Sequence, residues 1–124
     1  MKILTVDDSI IIRRIVSGVI EMTGHEPIGA ENGSAALDVL RDHHEDMALV
    51  VLDWNMPVMD GLTCLKEMRS DGDFKSIPVM MLTTESERDR MATAISAGAN
   101  HYCAKPFTPE GLAVKIMECL GQGG

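Results

Sequence analysis

Between Ala48 and Gly61 the chain reads ALVVLDWNMPVMDG. Its first five residues, Ala48–Leu52, are apolar at odd and even positions alike, with β-branched valines at their centre. A strand with one wet face alternates. A run that is apolar on both faces is a strand covered by helices above and below, as in a parallel sheet. This run ends on Asp53, and Pro57, two methionines and a second acid, Asp60, follow before Gly61, which permits a tight start to the next helix. A buried strand that finishes on a carboxylate needs other charges beside it.

Outward from this stretch, short apolar runs alternate with segments of 3.6-residue period. KILTV (Lys2–Val6) reads as the first strand. Ser9 to Met22 reads as a helix with Ile12, Ile15, Val16 and Val19 on one face, stopped by Gly24 in a left-handed conformation. EPIGA (Glu26–Ala30) is a strand that Pro27 confines to an edge. Helices are expected over Gly33–Asp42, with Ala36, Leu37 and Leu40, and over Leu62–Arg69, with Leu62, Leu65 and Met68 inward. PVMML (Pro78–Leu82) is the fourth strand, Glu87–Ala97 the fourth helix, stopped by Gly98, and NHYCA (Asn100–Ala104) the fifth strand. Pro109–Leu120 is the last helix, with Leu112, Ile116, Cys119 and Leu120 on one side, and GQGG (Gly121–Gly124) a frayed tail. Five strand–helix units predict an α/β fold: a (βα)5 doubly wound, mostly parallel five-stranded sheet with helices on both faces.

A chain of 124 residues accommodates one domain, expected over 1–124, with a core that needs no staple. Nineteen acidic against 11 basic side chains, a net charge of -8, weigh against a nucleic-acid partner. No apolar run approaches the ~20 residues of a membrane span, and the N-terminus does not read as a signal peptide. Cys64, Cys103 and Cys119 are odd in number and lack ligand-like spacing, so they read as small hydrophobes in a reducing, cytoplasmic compartment. His25, His43, His44 and His101 are scattered and form no ligand set. No hydrophobic excess argues for an obligate dimer, and a monomer is expected.

In an open α/β sheet, reactive groups gather beyond the carboxyl ends of the strands. Asp7 and Asp8 follow the first strand, Asp53 the third, Thr83 and Thr84 the fourth, and Lys105 the fifth. Each alone has an ordinary reading: the aspartates and Thr83 as caps, Lys105 as a solvated lysine. Together they make one crevice in which three carboxylates repel one another and lose hydration unless a cation joins them. A hard divalent ion fits, and Mg2+ is held by a few carboxylates, other oxygens and waters. The crevice then accepts a phosphoryl group, with Asp53 as the nucleophile that forms an acyl phosphate and Lys105 and the Thr83 hydroxyl on the transferring oxygens. Asn55 is placed to offer its backbone carbonyl to the metal, and Glu85 is expected to face Asn55 across the opening. Thr84 partly covers the phosphoryl position, and Trp54 sits next to the metal as a fluorescent reporter. Tyr102 admits inward and outward orientations, and an inward turn linked to Thr83 would couple the crevice to a distant surface. The Lys105–Pro106 bond admits both cis and trans.

VDD at Val6–Asp8, DWNMPVMDG at Asp53–Gly61, LTT at Leu82–Thr84 and AKPF at Ala104–Phe107 occur in the order and spacing of a known family. Over nearly its whole length the chain resembles the receiver domain of two-component response regulators, most closely the stand-alone chemotaxis members. The resemblance implies a flavodoxin-like strand order, 2-1-3-4-5. It implies phosphorylation of Asp53 by the phosphohistidine of a sensor histidine kinase, with Mg2+ held by Asp8, Asp53 and the Asn55 carbonyl, and by Asp7 through water. Lys105 then matches the phosphate partner, and Thr83 and Tyr102 the switch pair. Asn55, Thr84 and Glu85 match the rim that governs dephosphorylation. Lys115 matches a position on the output face that binds the flagellar motor switch protein in chemotaxis members, some of which also meet a phosphatase. Thr84 stands where the best-known chemotaxis members carry alanine, which implies slower hydrolysis. Gly111 interrupts the output-side helix at a cost of ~1 kcal/mol relative to alanine.

Other uses of the same residues are distinguishable. A phosphorelay intermediate would pass its phosphate to a histidine phosphotransfer protein, whereas the Asn55 and Glu85 pair favours gripping an effector. An aspartate-nucleophile phosphatase needs a second acid where Asn55 stands, and a flavin carrier needs hydroxyls and amides where Asp7 and Asp8 stand. The catalysis expected is the protein's own phosphorylation and dephosphorylation rather than turnover of an independent substrate.

Overall fold

The computed structural model describes residues 1–121, so the end of the expected tail, 122–124, lies outside the described residues. Five parallel strands form one sheet, β1 (Lys2–Val6), β2 (Glu26–Ala30), β3 (Met47–Asp53), β4 (Val79–Thr83) and β5 (His101–Ala104), in the order β2-β1-β3-β4-β5. The doubly wound sheet expected from the alternating runs is therefore present, with the Pro27 strand at an edge and Ala48–Leu52 at the centre. Helices α1 (Ile10–Met22), α2 (Gly33–His43), α3 (Gly61–Ser70), α4 (Met91–Ser96) and α5 (Pro109–Cys119) connect the strands or close the chain.

The two-sided character of β3 explains the layering. Val50 and Leu52 join Leu4, Val6, Val79 and Met81 in a core covered by α2 and α3 through Leu37, Leu40, Leu65 and Met68. Leu49 and Val51 point the other way and join Ile3, Met80 and Leu82 against α1 and α5 through Val16, Ile20, Leu112 and Ile116. Leu49, Val50, Val51 and Leu52 are all 0% exposed. Complete burial on both faces is what drives an uninterrupted apolar run into the middle of the sheet.

Helix ends follow local chemistry. Ser9, Asn32, Asp60 and Thr108 cap α1, α2, α3 and α5, each accepting a backbone N–H three residues on. Gly24 and Gly98 hold φ of 83° and 112°, as their stop positions require. Gly111 lies in the first turn of α5, where its N–H donates to the Thr108 hydroxyl at 3.0 Å and an added Cβ would stand 3.0 Å from the same oxygen. The cysteines are free thiols, with Cys64 and Cys103 buried.

Two expectations need correction. Ile15 does not face the core; it is exposed, and the buried residues of α1 are Val16, Val19 and Ile20. The fourth helix does not run as one element over Glu87–Ala97. A 3-10 segment, Glu85–Arg90, precedes a short α4 of six residues. The polar run ESERDR gives this first part almost no apolar stripe to pin an α-helix to the sheet. Among the described residues, no helix is long and apolar enough to cross a membrane.

Candidate functional site

The register of the sheet assembles the site. Val6 lies beside Leu52 in the β1–β3 pairing, so Asp7 and Asp53 leave adjacent strands at the same end. Thr83 lies beside Ala104, one step before Lys105, whose backbone N–H donates to the Thr83 carbonyl at 2.7 Å. The ends of β1, β3 and β5 thus bring the carboxylates and an ammonium to one crevice, and β4, between β3 and β5, ends there on Thr83.

Asp7, Asp8 and Asp53 each present an oxygen within 4.8 Å of the others. Asp7 and Asp53 are buried, and Asp8 is exposed at the mouth. Lys105 Nζ donates to Asp53 Oδ1 at 2.7 Å and lies 3.7 Å from Asp7 Oδ2. Asp7 Oδ1 accepts the Ser9 N–H at 2.9 Å, and Arg13 donates to the Asp7 backbone carbonyl at 2.5 Å, fixing the turn that carries both aspartates. Asp7 Oδ2 is buried with no hydrogen-bond partner among the described residues. Burial pushes the Asp7 carboxyl above the ordinary aspartate range, opposed by the Ser9 amide and Lys105 and reinforced by Asp53.

One lysine against three carboxylates leaves the cluster short of positive charge. A buried Asp7 oxygen without a hydrogen-bond partner, in a cluster of three carboxylates, fits a hard divalent cation in donor type. The residues present therefore suit Mg2+, and the arrangement as a whole offers a buried carboxylate beside a cation for phosphoryl chemistry.

The loop after β3 is held tightly beneath the site. The Gly61 N–H donates to the Trp54 carbonyl at 2.8 Å, and a Cβ at Gly61 would fall 2.0 Å from the Asp53 carbonyl oxygen, so only glycine fits. Val58, just after Pro57, adopts a left-handed φ of 69°. Trp54 is more enclosed than a rim aromatic, at 3% exposure. It lines a cleft of about 220 Å³ with Asn55, Asp60, Leu62, Arg90 and Thr93.

Other expected positions are more scattered. Thr83 is fully buried, and its hydroxyl donates to the Thr84 carbonyl at 3.1 Å. Thr84 is partly exposed and its hydroxyl meets that of Ser86 at 3.0 Å. The Lys105–Pro106 bond is cis. Tyr102 faces outward at 45% exposure, and Lys115 is exposed on α5, 3.8 Å from Glu118.

Glu85 does not face Asn55. It is exposed and lines a groove beside Lys105 with Ile12, Ile15, Thr84, Pro106 and Phe107. The partner of Asn55 is Glu87: Asn55 Nδ2 donates to Glu87 Oε2 at 2.6 Å, while the Thr84 N–H donates to Glu87 Oε1 at 2.9 Å. Glu87 rather than Glu85 meets Asn55 because the 3-10 turn carries Glu87 back over the loop. The signal that finds it is Thr84-x-x-Glu87, the spacing of a capping box.

The family Response regulator receiver domain matches residues 3–117. The Chemotaxis protein CheY homolog of Campylobacter jejuni is 41% identical over 124 residues, covering 99% of this chain and 95% of that protein. Chemotaxis protein CheY1 of Helicobacter pylori is 44% identical over 122 residues, 98% of each. Among solved structures, the chemotaxis response regulator CheY4 of Vibrio cholerae superposes with a TM-score of 0.88 at 35% identity, covering 96% of this chain and 98% of that one.

Proposed function

The chain belongs to the response regulator receiver domain family, and on that premise we propose that Asp53 takes a phosphoryl group from the phosphohistidine of a sensor histidine kinase in a Mg2+-dependent reaction. The observation that carries this reading is the ion pair of Lys105 with Asp53 at 2.7 Å, inside a cluster of three carboxylates within 4.8 Å of one another. In the transfer, a carboxylate oxygen of Asp53 bonds to phosphorus as the P–N bond breaks, and the imidazole leaves with that electron pair. Lys105, already beside the nucleophile, turns its ammonium to the phosphoryl oxygens and offsets their charge. The Thr83 hydroxyl turns from the Thr84 carbonyl to donate to the same oxygens. Asp8, Asp53 and the Asn55 carbonyl would hold Mg2+, with Asp7 through water. Such an ion, when bound, neutralises oxygens that the acidic crevice otherwise repels. Hydrolysis of the acyl phosphate returns the carboxylate and inorganic phosphate, with Thr84 at the rim restricting the approach of water.

The proposed setting is chemotaxis, since relatives named as chemotaxis proteins cover 98–99% of the chain at 41% and 44% identity. The chain acts as one receiver module in the cytoplasm, as a monomer, and signals by protein contact. Tyr102 and Lys115, both exposed, belong to the face that grips a flagellar motor switch protein or another effector once Thr83 moves. A phosphatase is a further partner.

Incubation with acetyl phosphate and Mg2+ is expected to add the mass of one phosphate to the wild-type chain and nothing to Asp53→Asn. Equal labelling of the two removes the assignment. Retention on an immobilised motor switch protein is expected only under phosphorylating conditions, and equal retention without phosphate removes the proposed output.

A further inference from the structure

The loop after β3 begins at Asp53, the loop after β4 follows the neighbouring strand, and a single side chain ties the two together. Glu87 is 6% exposed. Its Oε1 accepts the Thr84 N–H at 2.9 Å, which caps its own 3-10 turn, and its Oε2 accepts Asn55 Nδ2 at 2.6 Å from 32 residues away. Capping needs one oxygen; the second bond is surplus to it. Nor does the carboxylate turn to the cations nearest in sequence, Arg88 and Arg90, which are exposed. Asn55 is two residues past Asp53, and Thr84 is one residue past Thr83, so the span Asn55–Glu87–Thr84 bridges the two loops just beyond the point where β3 and β4 pair at Asp53 and Leu82.

We propose that Glu87 is a positioning residue for the chemistry at Asp53, a buried carboxylate that latches the two rims of the crevice at one separation. The inference rests on the reading of Asp53 as the phosphoacceptor. With the latch intact, the loop that follows Asp53 is held before any ion or phosphoryl group arrives. Without it, the backbone bonds of that loop remain but Asn55 is no longer tied to Thr84, and the cost of fixing it at the moment of binding appears as weaker cation binding and slower transfer.

The test is titration of the whole chain with Mg2+ alone, followed through the fluorescence of Trp54, the one tryptophan of the sequence, and repeated on the initial rate of labelling by acetyl phosphate. Glu87→Ala is expected to raise the Mg2+ midpoint about 10-fold or more, the usual scale for removing a group that orients a metal site from outside it. Asn55→Ala keeps the backbone carbonyl, changes an exposed residue and is expected to raise the midpoint as much. The double variant is expected to be no worse than either single one, because both remove the same bond. Glu87→Gln keeps an acceptor for the Thr84 N–H and offers an amide N–H that Asn55 accepts by turning its own carbonyl, so it is expected to keep the midpoint nearer to wild type than Glu87→Ala does. Midpoints within about twofold of wild type in Glu87→Ala and Asn55→Ala, or shifts that add in the double variant, overturn the latch while leaving the phosphoacceptor reading intact. A wild-type chain that neither titrates with Mg2+ nor becomes labelled overturns that reading, and the latch with it.

Discussion

On the β1 and β3 side of the crevice, Asp7 and Asp53 emerge from strands whose residues Leu4, Val6 and Leu49–Leu52 are all 0% exposed. On the β4 side, the chain leaves Thr83 into a 3-10 segment and a six-residue α4, and Glu85, Ser86, Arg88, Asp89 and Arg90 are all exposed. The first region has its charges held by buried packing and by an ion pair that already exists. The second has few apolar anchors and depends on side-chain bonds such as those of Glu87. Regions with little buried contact open at low cost, whereas packed strands open only with the whole fold. The buried carboxylates and their ion pair thus lie on the well-packed side, and the segment with least to hold it lies on the other.

The contrast is broken most sharply by packing substitutions on its two sides. Leu52→Ala removes a fully buried side chain next to Asp53 and is expected to cost about 2–5 kcal/mol in denaturant unfolding. Ile95→Ala, on α4 at 56% exposure, is expected to change stability by less than about 0.5 kcal/mol. Similar costs at the two positions would mean that the sides are equally well packed.

Gly61→Ala tests whether the floor can yield. Its Cβ would meet the Asp53 carbonyl oxygen, a backbone atom, at 2.0 Å, and the expected loss is about 3 kcal/mol, near the upper end of ordinary overpacking. Unfolding at the wild-type midpoint would show that the loop beneath Asp53 moves freely.

A smaller effect sharpens the account of the charges. Burial raises the Asp7 carboxyl above its ordinary range. A carboxyl with a higher pKa folded than unfolded holds its proton more tightly in the native state, so it supports the fold in acid and that support is lost as pH rises through the folded value. Asp7→Asn is therefore expected to be more stable than wild type at neutral pH without metal, on the order of 1 kcal/mol. That advantage should vanish below about pH 4, where the unfolded carboxyl is protonated too. A variant less stable than wild type at neutral pH would mean that Lys105 compensates the buried charge in full.

What the sequence disclosed follows the same division. Ala48–Leu52, the strand ends at Asp7, Asp53 and Thr83, and Lys105 were legible because strands impose a strict register and buried runs admit few alternatives. That Glu87 and not the expected Glu85 meets Asn55 depends on one turn of 3-10 geometry, and the inward face of α1 on the difference between Ile15 and Ile20, both isoleucines. Trp54 was legible as a neighbour of the site but not as a buried one, since that depends on how α3 and the segment around Arg90 close over it. The orientation of Tyr102 was open for a similar reason: β5 has one half-covered face, and the pattern HYCA does not say which residue takes it.

The central claim is that Asp53, held beside Lys105 among two further carboxylates, carries a phosphoryl group. Treatment of the acetyl-phosphate-labelled protein with borohydride reduces an acyl phosphate to an alcohol and releases phosphate, and peptide mass spectrometry then locates the reduced side chain. The account predicts homoserine at position 53, only when Mg2+ was present during labelling. Reduction at another carboxylate, or at none while phosphate remains bound, would contradict it.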